Sequence, residues 1–529
     1  MVRKNVAEIL TNHVTFELEA IDRMYLNAYV PSLQTGGGFV YFVKTQLGAV
    51  VPSTMMVAPM SERFVAAIER FVATQAIDLV TFEKGQRKDD LAQQYLARFD
   101  RDEGVLFVGK AQEKANVFRT EKRRDPRGKT YPWIIRSTAM VNHYYVYILD
   151  RDFGPLFIKF CSYFPYPAKL CLNGHQWLKR QLTQRAIPFE PLDNGIRATD
   201  APGRVQRIAD TLDAAKIDTV FRKWLRRLSH PFTPTHRAAG YRYQLSILQA
   251  QFALTQVLDR PLTGRCFFEE VIRENLDLGR PDQMQLIFNR RVTRRTPGGF
   301  RTRVLTEGVV PSLHVQYKRS KVKQYHKEGQ ALRTETTIND TYDFAIGRAL
   351  KNLPALREIG FAANRRLLHV ESLSHDCLIG DDQLHAVTSP IRVDQQRAAG
   401  LRFGDRRTHA LMHALCLFAL APTGFRHRAF RDRVAQLQAR DPDTYPAGSM
   451  TYDLRRLRLH GLIARVPHSH RYRITPEGAR VAMFYARLYT RALRPVSSLQ
   501  PEGSARAQRA FDRLDAALAH FLEEVKLAA

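Results

Sequence analysis

Acidic residues are scarce in this chain: 52 Asp and Glu stand against 81 Lys and Arg, a formal charge of +29. A surplus of that size over 529 residues is more than a basic tail, and it surrounds the molecule with a positive potential. Cysteine is scarcer still. Cys161, Cys171, Cys266, Cys377 and Cys416 are far apart and odd in number, with no Cys-x-x-Cys pair and no Cys/His ligand spacing. That excludes a zinc finger and a disulfide framework, and it suits a reducing cytoplasm. Long apolar runs are also missing. The most apolar stretch, Ala414 to Ala421, is far too short to span a bilayer, and no basic amphipathic anchor stands out. The N-terminus reaches Glu8 too early for a signal peptide, so a soluble cytoplasmic protein with no membrane partner is expected. There is no Gly-x-Ser-x-Gly word, and the glycines Gly36 to Gly38 precede an expected strand instead of following one. Neither a hydrolase triad nor a nucleotide-phosphate cradle is supported, and nothing calls for zinc, haem or a nucleotide cofactor.

What is present is material for several cores. Hydrophobic content of 44% with 10% aromatics marks a folded chain, and the expected class is a mixed α/β multidomain protein. Residues 1–200 alternate strand-like and helix-like runs, with strands expected at 38–43, 53–57, 79–82, 105–108, 141–149, 156–163 and 169–173. Helices are expected at 61–74, 89–99 and 175–182, and a basic exposed loop at 119–129. Residues 201–280 read as helical, including 241–258. Residues 281–375 form a basic β-rich module followed by a helix, 376–404 a linker, 405–495 a compact C-terminal domain and 496–529 a closing helix. No internal repeat or low-complexity segment is visible.

The segment 405–495 is the most readable. Apolar residues at helical spacing run from Arg407 to Leu420, a second helix from His427 to Gln438, and a third from Thr451 to His460 with Ser449 or Thr451 as its cap. Two β-prone runs, 462–466 and 471–475, flank the polar tip Pro467 to His470, and Pro476 opens a last helix. The words Leu457 to Ile463 and Tyr472 to Ala479 resemble the recognition helix, wing strand and post-wing helix of winged helix-turn-helix domains. That resemblance implies DNA contact by Arg455, Arg456 and Arg458 in a major groove, and by His470, Arg471 and Arg473 on the wing. A solvated arginine face on a protein-binding domain fits the same residues.

Two further groups carry chemistry. Arg290, Arg291, Arg294, Arg295, Arg301 and Arg303 flank the turn at 297–299, and Lys318, Arg319, Lys321 and Lys323 follow on the next strands. Alternation places Arg319, Lys321 and Lys323 in one cationic row, with Tyr317 and Tyr325 as aromatic surface for an unpaired base. Glu83 ends a strand, Asp89 opens a helix and Glu113 follows a neighbouring strand. Together they form a candidate Mg²⁺ or Mn²⁺ ligand set, with Lys84 or Lys114 as the cation that stabilises a reacting phosphate. Asp89 at a helix start also serves the helix dipole without any metal. The expected role is binding of DNA, or of structured RNA, with metal-dependent phosphodiester chemistry as an added activity, as in a mobile-element or phage-like processing factor. The alternative is a non-catalytic regulator whose N-terminal region senses a ligand or partner.

Overall fold

A computed structural model describes residues 6–83, 85–274, 302–305, 312–327, 329, 331–375, 381–393, 395–402, 405–418, 424–438, 440–443, 445–467 and 469–488. The described chain is mixed α/β. It divides into two compact units that interleave in sequence. The first unit holds residues 15–257 and 330–361, and the second holds 1–14, 258–329 and 362–529.

After α1 (Val6–Asn12), the chain enters a sheet with β1 (Val14–Tyr29). Helices α2 (Gly36–Leu47) and α3 (Ala58–Thr74), strand β2 (Leu79–Thr81) and helix α4 (Lys88–Arg98) precede two 21-residue strands, β3 (Gly104–Arg124) and β4 (Thr130–Asp150). Strands β5 (Gly154–Cys161) and β6 (Ala168–Asn173) lead to α5 (Gly174–Gln184), the short pair β7 (Glu190–Leu192) and β8 (Gly195–Ala198), and helices α6 (Pro202–Asp210), α7 (Ala214–Arg227) and α8 (Pro234–Ala238). Strand β9 (Gln244–Leu258) follows. An excursion through α9 (Pro261–Glu274), β10 (Thr302–Leu305), β11 (Ser312–Tyr317) and β12 (Ser320–Lys327) belongs to the second unit before β13 (Ala331–Ile338) returns to the first.

In the first unit the strand order is β13-β9-β1-β6-β5-β4-β3-β2. The β2–β3 pair is parallel, while β3–β4, β4–β5, β5–β6, β6–β1 and β9–β13 are antiparallel. One face packs on α3, where Phe64 meets Phe160 and Tyr166 edge-on. The other carries a smaller core of Leu106, Phe107, Tyr145, Tyr147 and Leu149, covered by Leu91, Tyr95 and Leu96 of α4. A polar knot crosses the sheet behind it. Arg333 on β13 is fully buried and bonds Thr255 (2.6 Å), Glu335 (3.0 Å) and His175 Nε2 (2.6 Å), with Asp22 3.4 Å away. A guanidinium out of water needs such a set of acceptors.

Several expected elements are corrected. Residues 38–43 lie in α2: Thr35 Oγ1 accepts the Gly38 N–H as a cap, Phe39, Phe42 and Val43 form its buried stripe, and Gly48 at φ 66° stops it. Residues 54–57, Thr54–Val57, form a 3₁₀ turn capped by Ser53. The stretch 241–258 contains strand β9, because its place between β13 and β1 outweighs its helix-favouring Leu, Gln and Ala. The expected loop 119–129 is the distal half of the β3–β4 hairpin, whose strands run on to Arg124 and restart at Thr130.

In the second unit, helix α10 (Leu353–His375) enters from residue 362 onward, followed by α11 (Asp381–Thr388) and the pair β14 (Ile391–Val393) and β15 (Gln396–Ala398). Then come α12 (Arg406–Phe418), β16 (Phe425–Arg426), α13 (His427–Leu437), α14 (Ala447–Leu459), β17 (Ile463–Arg465), β18 (Arg471–Ile474) and α15 (Pro476–Leu488). The last three strands form a sheet in the order β16-β18-β17. Phe418, Phe425 and Phe430 stack at its base, and Arg407 ties α12 to the buried Asp453 of α14 at 2.8 Å. Helix α14 begins a turn earlier than expected, at Ala447. Thr451 is therefore inside it, and its hydroxyl donates to the Ala447 carbonyl instead of capping. Residues 496–529, expected as a helix, lie outside the described residues.

Candidate functional site

The strands of the first unit bring a row of cations to one end of the small aromatic core. Across the sheet, Tyr145 on β4 faces Lys159 on β5, Lys159 faces Lys169 on β6, and Lys169 faces Asn27 on β1. Facing residues share a side of the sheet, so this register alone lines up two ammonium groups. They open onto a cleft of about 270 Å³, lined also by Glu113, Lys114, Arg136 and His143. Among the lining residues one carboxylate, Glu113, stands beside these cations.

That carboxylate is already engaged. Glu113 accepts from Lys159 Nζ through one oxygen and from the Tyr145 hydroxyl through the other, with Lys88 Nζ 3.4 Å away. Burial opposes its charge, but the bonds from Lys159 and Tyr145 and the Lys159 and Lys88 charges prevail, bringing its pKa down to about 2. Lys159 is 5% exposed, and burial pulls its ammonium below the usual lysine range, with Glu113 opposing and Lys169 and Lys88 adding to the pull. The two shifts pull opposite ways, Glu113 toward its charged form and Lys159 away from it, and the close contact between them carries the assignment of an ion pair. His143 is held below its usual value by burial and by Lys159. Its Nδ1 lies 3.2 Å from the Val141 carbonyl, an oxygen that can only accept. The ring is therefore the Nδ1–H form, with its lone pair on Nε2. At neutral pH the cleft presents cations, a carboxylate already paired and, with its pKa held below the usual value, a largely neutral imidazole.

Beyond the cleft, β3 and β4 continue as a two-stranded arm. Its turn is locked by Asp125, whose Oδ1 accepts the Arg127 and Lys129 N–H groups at 2.9 and 2.8 Å, with Gly128 at φ 78°. Residues 119–136 carry seven Lys and Arg against two acids, and all seven cations are exposed. One side of the arm is fastened down. Phe118 packs on Phe39, Thr120 bonds Thr54, and Ile134 is buried. The other side presents Arg119, Arg123, Tyr131 and Trp133.

The residues expected as a metal set do not gather. Glu83 is exposed in the loop after β2, where its N–H donates to Gln86, and Asp89 is exposed in the first turn of α4. Lys84 lies outside the described residues, and among those described no three His, Cys, Asp or Glu side chains form a group able to hold a metal ion. Lys114 does line the cleft with Glu113, and the lysine that reaches Glu113 from α4 is Lys88.

In the second unit, Arg290, Arg291, Arg294, Arg295 and Arg301 lie outside the described residues. Arg303 pairs in register with His314, which pairs with Lys323. Lys321 and Lys323 share the half-exposed face of β12, and Lys323 Nζ is 4.1 Å from the Tyr325 ring centre. Lys318 and Arg319 form the β11–β12 turn, so Arg319 is not in the row. Tyr317 is buried and offers no surface to a base. On α14, Arg455 and Arg458 are exposed, but Arg456 is buried and donates to the Ala399 and Gly400 carbonyls. Its expected place in a groove is corrected: a side chain holding two carbonyls in the core is not free to read bases. His470 and Arg473 are exposed, while Arg471 is half-buried and donates to the Gly424 carbonyl at 2.9 Å.

Lys169 and Arg136 are site residues that sequence reasoning passed over. Their signal was the period-two placement of Lys159 and Lys169 on adjacent runs, which becomes legible only once the register is known. No protein-family model, no curated protein and no solved structure matches this chain.

Proposed function

We propose that this protein binds nucleic acid through its phosphate backbone, with the cleft of the first unit as a principal contact. The observation that carries the proposal is the cross-strand pair Lys159 and Lys169 in a cleft, lined also by Lys114 and Arg136, whose lining carboxylate Glu113 is already engaged by Lys159. Cations kept close together in a folded chain repel one another, and an anionic ligand relieves that repulsion while releasing counterions. The half-exposed lysines of β12 and the overall charge of +29 favour a polyanion over a small acid. We further propose that residues 406–488 are a winged helix that contacts DNA. The sequence of three helices, a hairpin and a closing helix supports this, with Arg455 and Arg458 on the groove-facing side and His470 and Arg473 on the wing.

The test is fluorescence anisotropy with labelled DNA and RNA over a salt series, with and without Mg²⁺ or Mn²⁺. The expected result is affinity that falls log-linearly with salt, with a slope that becomes shallower in Lys169→Ala. Absence of binding at low ionic strength would overturn the reading. Metal-dependent cleavage of the bound strand would add the catalytic activity to it.

A further inference from the structure

We infer that the β3–β4 arm is a stacking platform for an unpaired strand, gripping bases on Trp133 and Tyr131 while its cations follow the phosphates. The inference rests on the nucleic-acid reading above and names the form of nucleic acid. Trp133 is 48% exposed and Tyr131 38%, with ring centres 6.4 Å apart at 85°. Two large aromatic rings left in water at the end of a hairpin are costly unless something covers them. Arg123 lies directly across the ladder from Tyr131, and its guanidinium is 5.0 Å from the Trp133 ring centre. Glu121, 3.6 Å from Arg123 and directly across from Trp133, keeps that guanidinium in place. Arg119 extends the same face, and Lys122, Arg124, Arg127 and Lys129 ring the tip.

Charge complementarity therefore chooses a polyanion, and the rings choose among polyanions. In a duplex the flat faces of the bases are stacked on one another, and only their edges and the backbone reach a protein. Of the parts of a nucleic acid, only a base that has left the stack can lie face-on against an indole. The arm also meets the requirement of rigidity. Phe118, Thr120 and Ile134 pin its far side, and Asp125 locks its turn, so the backbone that carries the rings is held in place.

The chain itself supplies the reporter. Of its three tryptophans, Trp177 and Trp224 are 2% and 3% exposed, so ligand-induced changes in surface indole emission come from Trp133. The experiment titrates the full chain with a short oligothymidylate and with a duplex of equal length. Oligothymidylate should quench tryptophan emission and the duplex should not. Trp133→Ala should weaken oligothymidylate binding by about tenfold, Trp133→Phe should restore most of it, and duplex affinity should be the same in all three proteins. Oligothymidylate that binds Trp133→Ala as tightly as wild type, with no quenching in wild type, would overturn the arm's role and leave the phosphate-binding cleft standing. Wild-type protein that ignores both ligands at low salt would overturn the two together.

Discussion

Glu371 allows a quantitative test of how this fold is held together. It lies on α10, fully buried, with Oε2 accepting from Gln324 Nε2 at 2.9 Å and Oε1 without a hydrogen bond in the described structure. Burial drives its carboxyl from the usual 4.5 up to about 8, and the Gln324 bond recovers only part of that shift. In the unfolded chain the proton leaves near 4.5, whereas in the folded chain it stays until about 8. Between those values the unfolded state binds fewer protons. Stability is therefore complete below about 4.5 and drains away at about 1.4 kcal/mol per pH unit until the folded group ionises. At pH 7 the cost reaches about 3 kcal/mol, against about 1 kcal/mol at pH 5. Glu371→Gln keeps the shape and removes the proton. Urea unfolding followed by circular dichroism should show the variant ahead of wild type by a margin that grows by about 2 to 3 kcal/mol from pH 5 to pH 7 and levels off above pH 8. A margin that does not change with pH would refute the reasoning.

Other outcomes follow from the same geometry. Lys169→Ala should weaken binding uniformly across sequences and reduce the salt slope by about 0.7 to 0.9, which a salt titration measures. Lys159→Met should raise the Glu113 pKa from about 2, since its bond and charge are lost while burial remains, and carboxyl-carbon NMR would follow the change. In wild type the contribution of that pair should be present above pH 4.5 and be lost as pH falls toward 2. Arg456→Ala should cost about 2 to 3 kcal/mol in unfolding experiments, because two carbonyls lose a charged donor. Arg455→Ala and Arg458→Ala should leave stability within about 0.5 kcal/mol and weaken DNA binding in a filter or gel-shift assay.

Helices with their own punctuation were readable from local sequence. His175 to Leu182 follows the Asn173 cap, and residues 427–437 and 476–488 stand between proline or glycine breaks. The runs 141–149 and 156–163 were readable too, as parts of the paired strands β4 and β5. What stayed hidden depends on partners distant in the chain. Residues 244–258 form a strand because β13 and β1 flank them, and nothing within the segment announces it. Residues 119–129 looked like a loop because charged residues on a ladder exposed to water leave no apolar alternation. Arg456 looked like its exposed neighbours because one helical position decides whether a guanidinium meets solvent or the carbonyls at 399 and 400. Glu113 was picked out for its carboxylate, yet Lys159 and Tyr145 make it a counter-ion, a role that only three-dimensional neighbours confer.

The interleaving of the two units bears on how the protein is made. When the ribosome has released β9, its neighbour β13 is still unsynthesised, and residues 258–329 must emerge first. For that interval a nascent strand rich in apolar side chains has one ladder edge unfilled, a state prone to wrong pairing. Cleaving the chain between the units would not yield two working halves, since neither is a continuous piece of polypeptide. Fragments intended to isolate one of them would need to be spliced across the gap.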